Sequence, residues 1–250
     1  MTARRRLDAE LVRRGLATSR TEAAGLIDAR RVLVNGAVAD KPARQVAAGD
    51  QLLLSGPPPR YVGRGGLKLE HALDVFGIDV SGMRALDAGA STGGFTDCLL
   101  QRGAAHVVAV DVGHGQLHER LRADPRVDNL ERTNVRELDL ATIGGPVDIV
   151  VGDLSFISLR LVIAPLASVC QPGGPMVLLV KPQFEAGRAE VSRGRGVITD
   201  PEVWRRVRTE IEQAIDDAGC TVAGWTDSPI TGADGNREFL VHAIVPEGRT

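Results

Sequence analysis

From residue 67 onward, strand-length apolar runs alternate with helical patterns, and this alternation limits the fold more than any other feature. The runs Arg84–Ala88, Val107–Val110, Val127–Arg132, Val147–Gly152 and Met176–Val180 predict strands. Leu67–Phe76, Phe95–Arg102 and Leu161–Ser168 predict helices, and a longer helix follows at Pro201–Ala218. Cys220–Asp227 and Glu238–Val245 close the series as strands. Such a series builds a doubly wound α/β sheet, which binds ligands beyond the carboxyl ends of its strands.

The residues with chemistry fall at those ends. Asp87-Ala88-Gly89-Ala90-Ser91-Thr92-Gly93-Gly94-Phe95 follows the first strand. A dinucleotide fingerprint would place glycine two positions after Gly89, where Ser91 stands, and no P-loop lysine is present. The turn therefore points to a nucleoside with a cationic, phosphate-free tail, with Asp87, Ala88, Gly89, Ser91, Gly93, Gly94 and Phe95 expected around it. Asp111 closes the next strand and is expected to accept both ribose hydroxyls, with a helix N-cap as the alternative. Asn134 is expected to touch the same nucleoside. Phe156, three residues after Asp153 in a strand-end loop, is a candidate to stack on adenine or a target base, against burial in the core. His114 and His118, four apart, read as a solvated helix face. Scattered histidines and three distant cysteines, Cys98, Cys170 and Cys220, predict no metal site and no disulfide framework, as in a reducing cytoplasm.

The first sixty residues differ in charge. They hold eleven Arg/Lys against six Asp/Glu, whereas the remainder holds nineteen against twenty-six. A basic head on an acidic body predicts a nucleic-acid-binding module joined to something else. Leu7, Leu11 and Val12 recur at helical spacing before Gly15, and Ser19 with Glu22 forms a capping-box pattern ahead of Ala23, Leu26 and Ile27. Asn35-Gly36 then predicts a hairpin. These residues, through KPARQV and GDQL, resemble the S4 RNA-binding domain. The resemblance implies RNA contacts by Arg4, Arg6, Arg13, Arg14, Arg20, Arg30, Arg31 and Lys41. The expected organisation is residues 1–54 as a small α+β RNA-binding domain, 55–66 as a Pro/Gly-rich linker, and 67–250 as a Rossmann-like body.

Only three of the thirty cationic residues are lysine: Lys41, Lys68 and Lys181. Lysine can give up its proton where arginine effectively cannot. Lys68, Asp153, Lys181 and Glu238, in the settings RGGLKLEHAL, DIVVGDLSFIS, MVLLVKPQFE and GNREFLVH, match the Lys–Asp–Lys–Glu tetrad of FtsJ-like ribose 2′-O-methyltransferases. With the S4-like head, DAGASTGGFTD and DVGHGQL, the chain resembles the TlyA family, also labelled hemolysins. That resemblance implies S-adenosylmethionine as methyl donor and no metal. It implies ribosomal RNA in ribosomal subunits as partner, with cytidine in 23S RNA as target and a leaning toward 16S RNA as a second. The tetrad residues are then the catalytic set, with Asp153 also beside the donor. At a buried strand end, desolvation and a second cation oppose an ammonium while carboxylates favour it, so Lys181 is expected either to take the proton or to steer the hydroxyl. The alternatives are an S4 protein without catalysis, a small-molecule methyltransferase and a cytolysin. No apolar run approaches the ~18 residues of a membrane helix, and no apolar signal core follows the basic N-terminus, so a pore former is not expected.

Overall fold

The computed structural model describes residues 4–17, 20–56, 59–187, 190–191, 196–232 and 234–248. The chain forms two units, Met1–Arg64 and Gly65–Thr250.

In the first unit, strand β1 (Arg5–Arg6) runs into helix α1 (Leu7–Arg13), which buries Leu7 and Leu11 one turn apart. Gly15, at φ 70°, stops the helix in a left-handed conformation that glycine adopts without strain. Helix α2 (Arg20–Asp28) buries Ala23, Leu26 and Ile27 against the same core; Ser19 of the expected capping box lies outside the described residues. Strands β2 (Val32–Val34) and β3 (Ala37–Val38) meet through Asn35 and Gly36, both at positive φ, as the tight hairpin requires. Strand β4 (Gln45–Val46) pairs with β1, and β5 (Leu52–Leu54) joins β2 in a three-stranded sheet of order β3-β2-β5. Asp8 and Glu10, both buried, are each met by two arginines. Arg6 and Arg20 reach Asp8 at 2.9 Å, while Arg13 and Arg14 reach Glu10 at 2.6 and 2.7 Å.

The second unit opens with α3 (Gly65–Phe76) and β6 (Arg84–Ala88), then α4 (Gly94–Gln101) and β7 (His106–Asp111). Short helix α5 (Glu119–Arg122), β8 (Val127–Glu131), α6 (Leu140–Ile143) and β9 (Ile149–Gly152) follow. Then come α7 (Ile163–Val169), β10 (Pro175–Val180), α8 (Pro182–Glu185), α9 (Pro201–Asp217), β11 (Thr221–Asp227) and β12 (Phe239–Ile244). The sheet order is β11-β12-β10-β9-β6-β7-β8, parallel except that β12 lies antiparallel between β10 and β11. Apolar residues cover its faces; on α9, Val203, Val207, Ile211 and Ile215 recur every four residues as one buried stripe.

The doubly wound sheet expected from the alternation is the observed one. Two boundaries moved for local reasons. Val147 makes only an isolated bridge to Cys170, so β9 starts at Ile149. The predicted helix at Leu161 starts at Ile163, because Ser158 caps a 3₁₀ turn over Leu159–Leu161. The chain leaves β6 toward β7 on one side and returns to β9 on the other. Strand order thus reverses between β6 and β9, the place where open α/β sheets bind ligands.

Candidate active site at the strand ends

The glycine turn after β6 is built around two carboxylates. Asp87 is 0% exposed; its Oδ2 accepts from the Thr96 amide at 2.8 Å and the Thr96 hydroxyl at 2.6 Å. Burial pushes its pKa up to about 7, against the pull of the Thr96 bonds, with Asp153 and Asp111 adding to the rise. Asp111 pins the turn from the neighbouring strand: Oδ2 accepts from the Ser91 amide at 2.8 Å and Oδ1 from the Gly113 amide at 2.7 Å. Ser91, at φ 48°, also donates through its hydroxyl to Gln116 at 3.2 Å. An ionised carboxylate accepts about four hydrogen bonds, so Asp111 keeps acceptor capacity for a ligand. Gly89, at φ 83°, lies against the next loop: a Cβ there would stand 2.8 Å from the Asp153 carbonyl oxygen.

Four side chains gather at the ends of α3, β9, β10 and β12. Lys68 on α3 donates to Glu238 at 2.5 Å, both nearly inaccessible to solvent. Lys181, directly after β10, forms an ion pair with Asp153 at 2.5 Å and donates to the Ser155 hydroxyl at 2.8 Å. The register places Val180 opposite Phe239, so Lys181 and Glu238 leave adjacent strands at the same level. Asp153 in turn is tied to β6, its amide donating to the Ala88 carbonyl at 3.0 Å. The ring of Phe184 lies 5.7 Å from Lys181 Nζ and 5.2 Å from the ring of Phe156. Phe156 is 91% exposed at φ 64°.

All four tetrad positions therefore meet, as two ion pairs. The turn residues divide. Gly89, Ser91 and Asp111 reach the accessible side, whereas Asp87 and Ala88 are closed to solvent and Gly93, Gly94 and Phe95 are buried. Asp87 also holds the start of α4. Phe156 is not core. Asn134 caps a 3₁₀ turn, accepting from the Arg136 amide. The paired histidines are not on a helix face; His114 Nδ1 contacts Glu131 at 2.5 Å and His118 caps α5.

The arginines of the first unit also divide. Arg14 donates to the carbonyls of Ala47, Ala48 and Asp50, and Arg31 to those of Ser55 and Gly56, so both hold loops. Arg6, Arg13 and Arg20 pair with buried acids but stay about half exposed. Arg4, Arg30 and Lys41 are exposed.

Sequence reasoning missed Ser155, Phe184 and Glu185. Glu185 is 5% exposed and ties α8 to the β9 loop, accepting from the Ser158 hydroxyl at 2.5 Å and the Leu159 amide at 2.8 Å. Burial pushes its carboxyl up, against those bonds. The signal was the run KPQFE, which marks the place without revealing which loop it holds. Among the described residues no group of three His, Cys, Asp or Glu side chains could hold a metal ion, and no helix is long and apolar enough to cross a membrane. A shallow depression of about 340 Å³ lies at the opposite, amino-terminal ends of the strands, lined by Leu73, Asp79 and Arg102, away from this chemistry.

An S4 domain before a Rossmann-like sheet carrying a Lys–Asp–Lys–Glu set defines an RNA-directed methyltransferase class. The sequence profile of the FtsJ-like methyltransferases matches residues 61–244, and that of the S4 domain matches residues 5–52. The chain belongs to the TlyA family of these enzymes. It is 50% identical over 242 residues to the 16S/23S rRNA (cytidine-2′-O)-methyltransferase TlyA of Mycobacterium tuberculosis, covering 96% of this chain and 90% of that one. It is 39% identical to hemolysin A of Brachyspira hyodysenteriae, over 96% of this chain and all of that one. Among solved structures, a Streptococcus thermophilus protein described as a hemolysin superposes with a TM-score of 0.78 at 41% identity, over 100% of this chain and 92% of the other.

Proposed function

We propose that this chain transfers a methyl group to the 2′-hydroxyl of cytidine in ribosomal RNA, in the 23S and also the 16S molecule. The observation that carries the reading is the pairing of Lys181 with Asp153 at the switch point, next to a turn whose close approach to Asp153 tolerates only glycine at residue 89. The methyl donor is S-adenosylmethionine, which supplies an activated methyl on a sulfonium and needs no metal. Asp111 would receive the ribose hydroxyls, and Gly89 and Ser91 would lie along the rest of the nucleoside. After Lys181 has released its own proton to water, the 2′-oxygen attacks the methyl carbon, the O–C bond forms as the C–S bond breaks, and the hydroxyl proton passes to the freed amine. Asp153 holds that amine, while Glu238 holds Lys68 beside it. Phe156 is assigned to stack on the target base or the adenine.

Residues 1–54 serve as the RNA-binding module, 55–66 as linker and 67–250 as the catalytic body. The exposed Arg4, Arg30 and Lys41, with the half-exposed Arg6, Arg13 and Arg20, supply positive charge for phosphates. Work on ribosomal subunits implies a cytoplasmic protein. The test is to incubate the full chain with labelled donor and separated ribosomal subunits and map the modified nucleotide. Label in a 2′-O-methylcytidine is expected; label absent from both subunits overturns the reading.

A further inference from the structure

Among the described residues Lys181 Nζ has two polar partners, and only one of them belongs to the matched tetrad. Asp153 stands 2.5 Å away and the Ser155 hydroxyl accepts its hydrogen bond at 2.8 Å. The lysine is 9% exposed, so its remaining direction is narrow, and the Phe184 ring at 5.7 Å closes another side. The other charged groups at this level, Lys68 and Glu238, are engaged with each other.

An amine nitrogen has three positions besides its carbon. A neutral amine fills two with N–H and one with its lone pair, and it can take a proton only along the lone pair. With a single acceptor the second N–H and the lone pair could exchange places by rotation about the terminal C–N bond. Ser155 accepts one N–H, and the Asp153 carboxylate, in ion-pair contact but outside hydrogen-bond geometry, lies against a second position by charge, so the lone pair is left to the third. A hydroxyl suits this role better than a second carboxylate, because it accepts the N–H without adding a negative charge that would fix the ammonium form.

Ser155 is well placed to hold a direction. It lies two residues beyond Asp153 in a loop whose far end is fastened by Glu185 through Ser158 and the Leu159 amide, and Glu185 is only four residues from Lys181. The loop and the lysine are thus fixed to one another from both sides.

We propose that Ser155 is a positioning residue: its hydroxyl oxygen holds one N–H of Lys181 while the Asp153 carboxylate lies against another position, so that the third position of Nζ faces the reacting 2′-hydroxyl. This rests on the reading of Lys181 as proton acceptor in methyl transfer. The experiment compares the full-length parent, Ser155→Ala and Ser155→Thr for single-turnover methylation of ribosomal subunits and for calorimetric affinity for S-adenosylmethionine. Ser155→Ala should slow transfer about tenfold, the scale of one hydrogen bond, with donor affinity within about twofold of the parent. Ser155→Thr, which keeps the hydroxyl, should recover most of the rate. An alanine variant as fast as the parent overturns the inference. So does a rate loss matched by an equal loss of donor affinity, which would make Ser155 a donor contact, or a threonine variant as slow as alanine. If the parent itself methylates neither subunit, the functional reading fails rather than the role of Ser155.

Discussion

Two buried carboxylates, one in each unit, answer their charge in opposite ways. In the first unit Glu10 is 2% exposed and takes two guanidinium groups; the Arg13 bond, stronger than the burial that opposes it, holds its pKa at about 2, and Asp8 is likewise lowered by Arg6 and Arg20. In the second unit Asp87 takes only the amide and hydroxyl of Thr96, and burial wins, raising it to about 7. Permanent cations that themselves reach solvent keep a buried acid ionised; dipoles alone do not. The catalytic cluster follows neither pattern. Its cations are lysines, paired one to one with Asp153 and Glu238. Arginine supplies most of the cations of the basic head, whereas both lysines of the second unit belong to this cluster.

The sharpest way to break this contrast is the buried lysine pair. Lys68→Met leaves Glu238 without its cation, and thermal or denaturant unfolding should show a loss of about 3–5 kcal/mol. Replacing both residues by methionine should recover much of that stability while leaving transfer abolished. Next in size, Lys181→Arg keeps the charge but cannot act as a base, and single-turnover transfer should fall at least ~10²-fold with donor and RNA still bound. Lys181→Ala should be no more active. Retained activity in the arginine form would assign Lys181 to steering rather than proton transfer. Asp111→Ala removes a charged acceptor and should weaken S-adenosylmethionine by about 1–3 kcal/mol in calorimetry. Gly89→Val should weaken it more, since its side chain meets the Asp153 carbonyl and Leu154.

Smaller effects test the two charge patterns themselves. As pH falls from 4.5 toward 2, Glu10 gains a proton and the first unit should lose stability; Glu10→Gln should flatten that slope. Asp87 has the opposite sign: its folded form binds the proton more tightly, so the second unit should lose stability as pH rises from 3.8 toward 7, and Asp87→Asn should remove the trend. Hydrogen exchange across this range reads both units in one full-length sample. Last, reversing the charge of Arg30 and Lys41 should weaken RNA binding and lower the salt slope by roughly one for each phosphate no longer neutralised, with donor affinity unchanged.

The strands and their ends were legible because a buried strand has a length and an apolar composition that survive in one dimension. The tetrad was legible as four matched settings. The pairing within it was not: that Lys68 takes Glu238 while Lys181 takes Asp153 depends on how α3 and the loop after β9 meet the ends of β10 and β12, which spacing does not encode. The support role of Asp87 depends on Thr96 nine residues later in the next helix, and the pinning of Ser91 on Asp111 twenty residues later. Arg14 and Arg31 read as surface cations because charge is visible in a sequence, whereas the loop carbonyls that occupy them are not. Ser155 looked like any loop serine until the lysine arrived beside it from another strand.

The antiparallel insertion of β12 has a consequence for how the protein is born on the ribosome. The first unit is complete by residue 64 and has its own core, so it can close while the rest of the chain is still being made. Lys68 emerges soon afterwards, yet Glu238 arrives only with β12, the last strand of the sheet, roughly nine to thirty-four seconds later at ordinary elongation rates. Until then α3 holds a lysine with no counter-ion and β10 is an open edge. A nascent chain of this kind can grip nucleic acid well before it can modify it, and methylation begins only once synthesis has delivered the final strand.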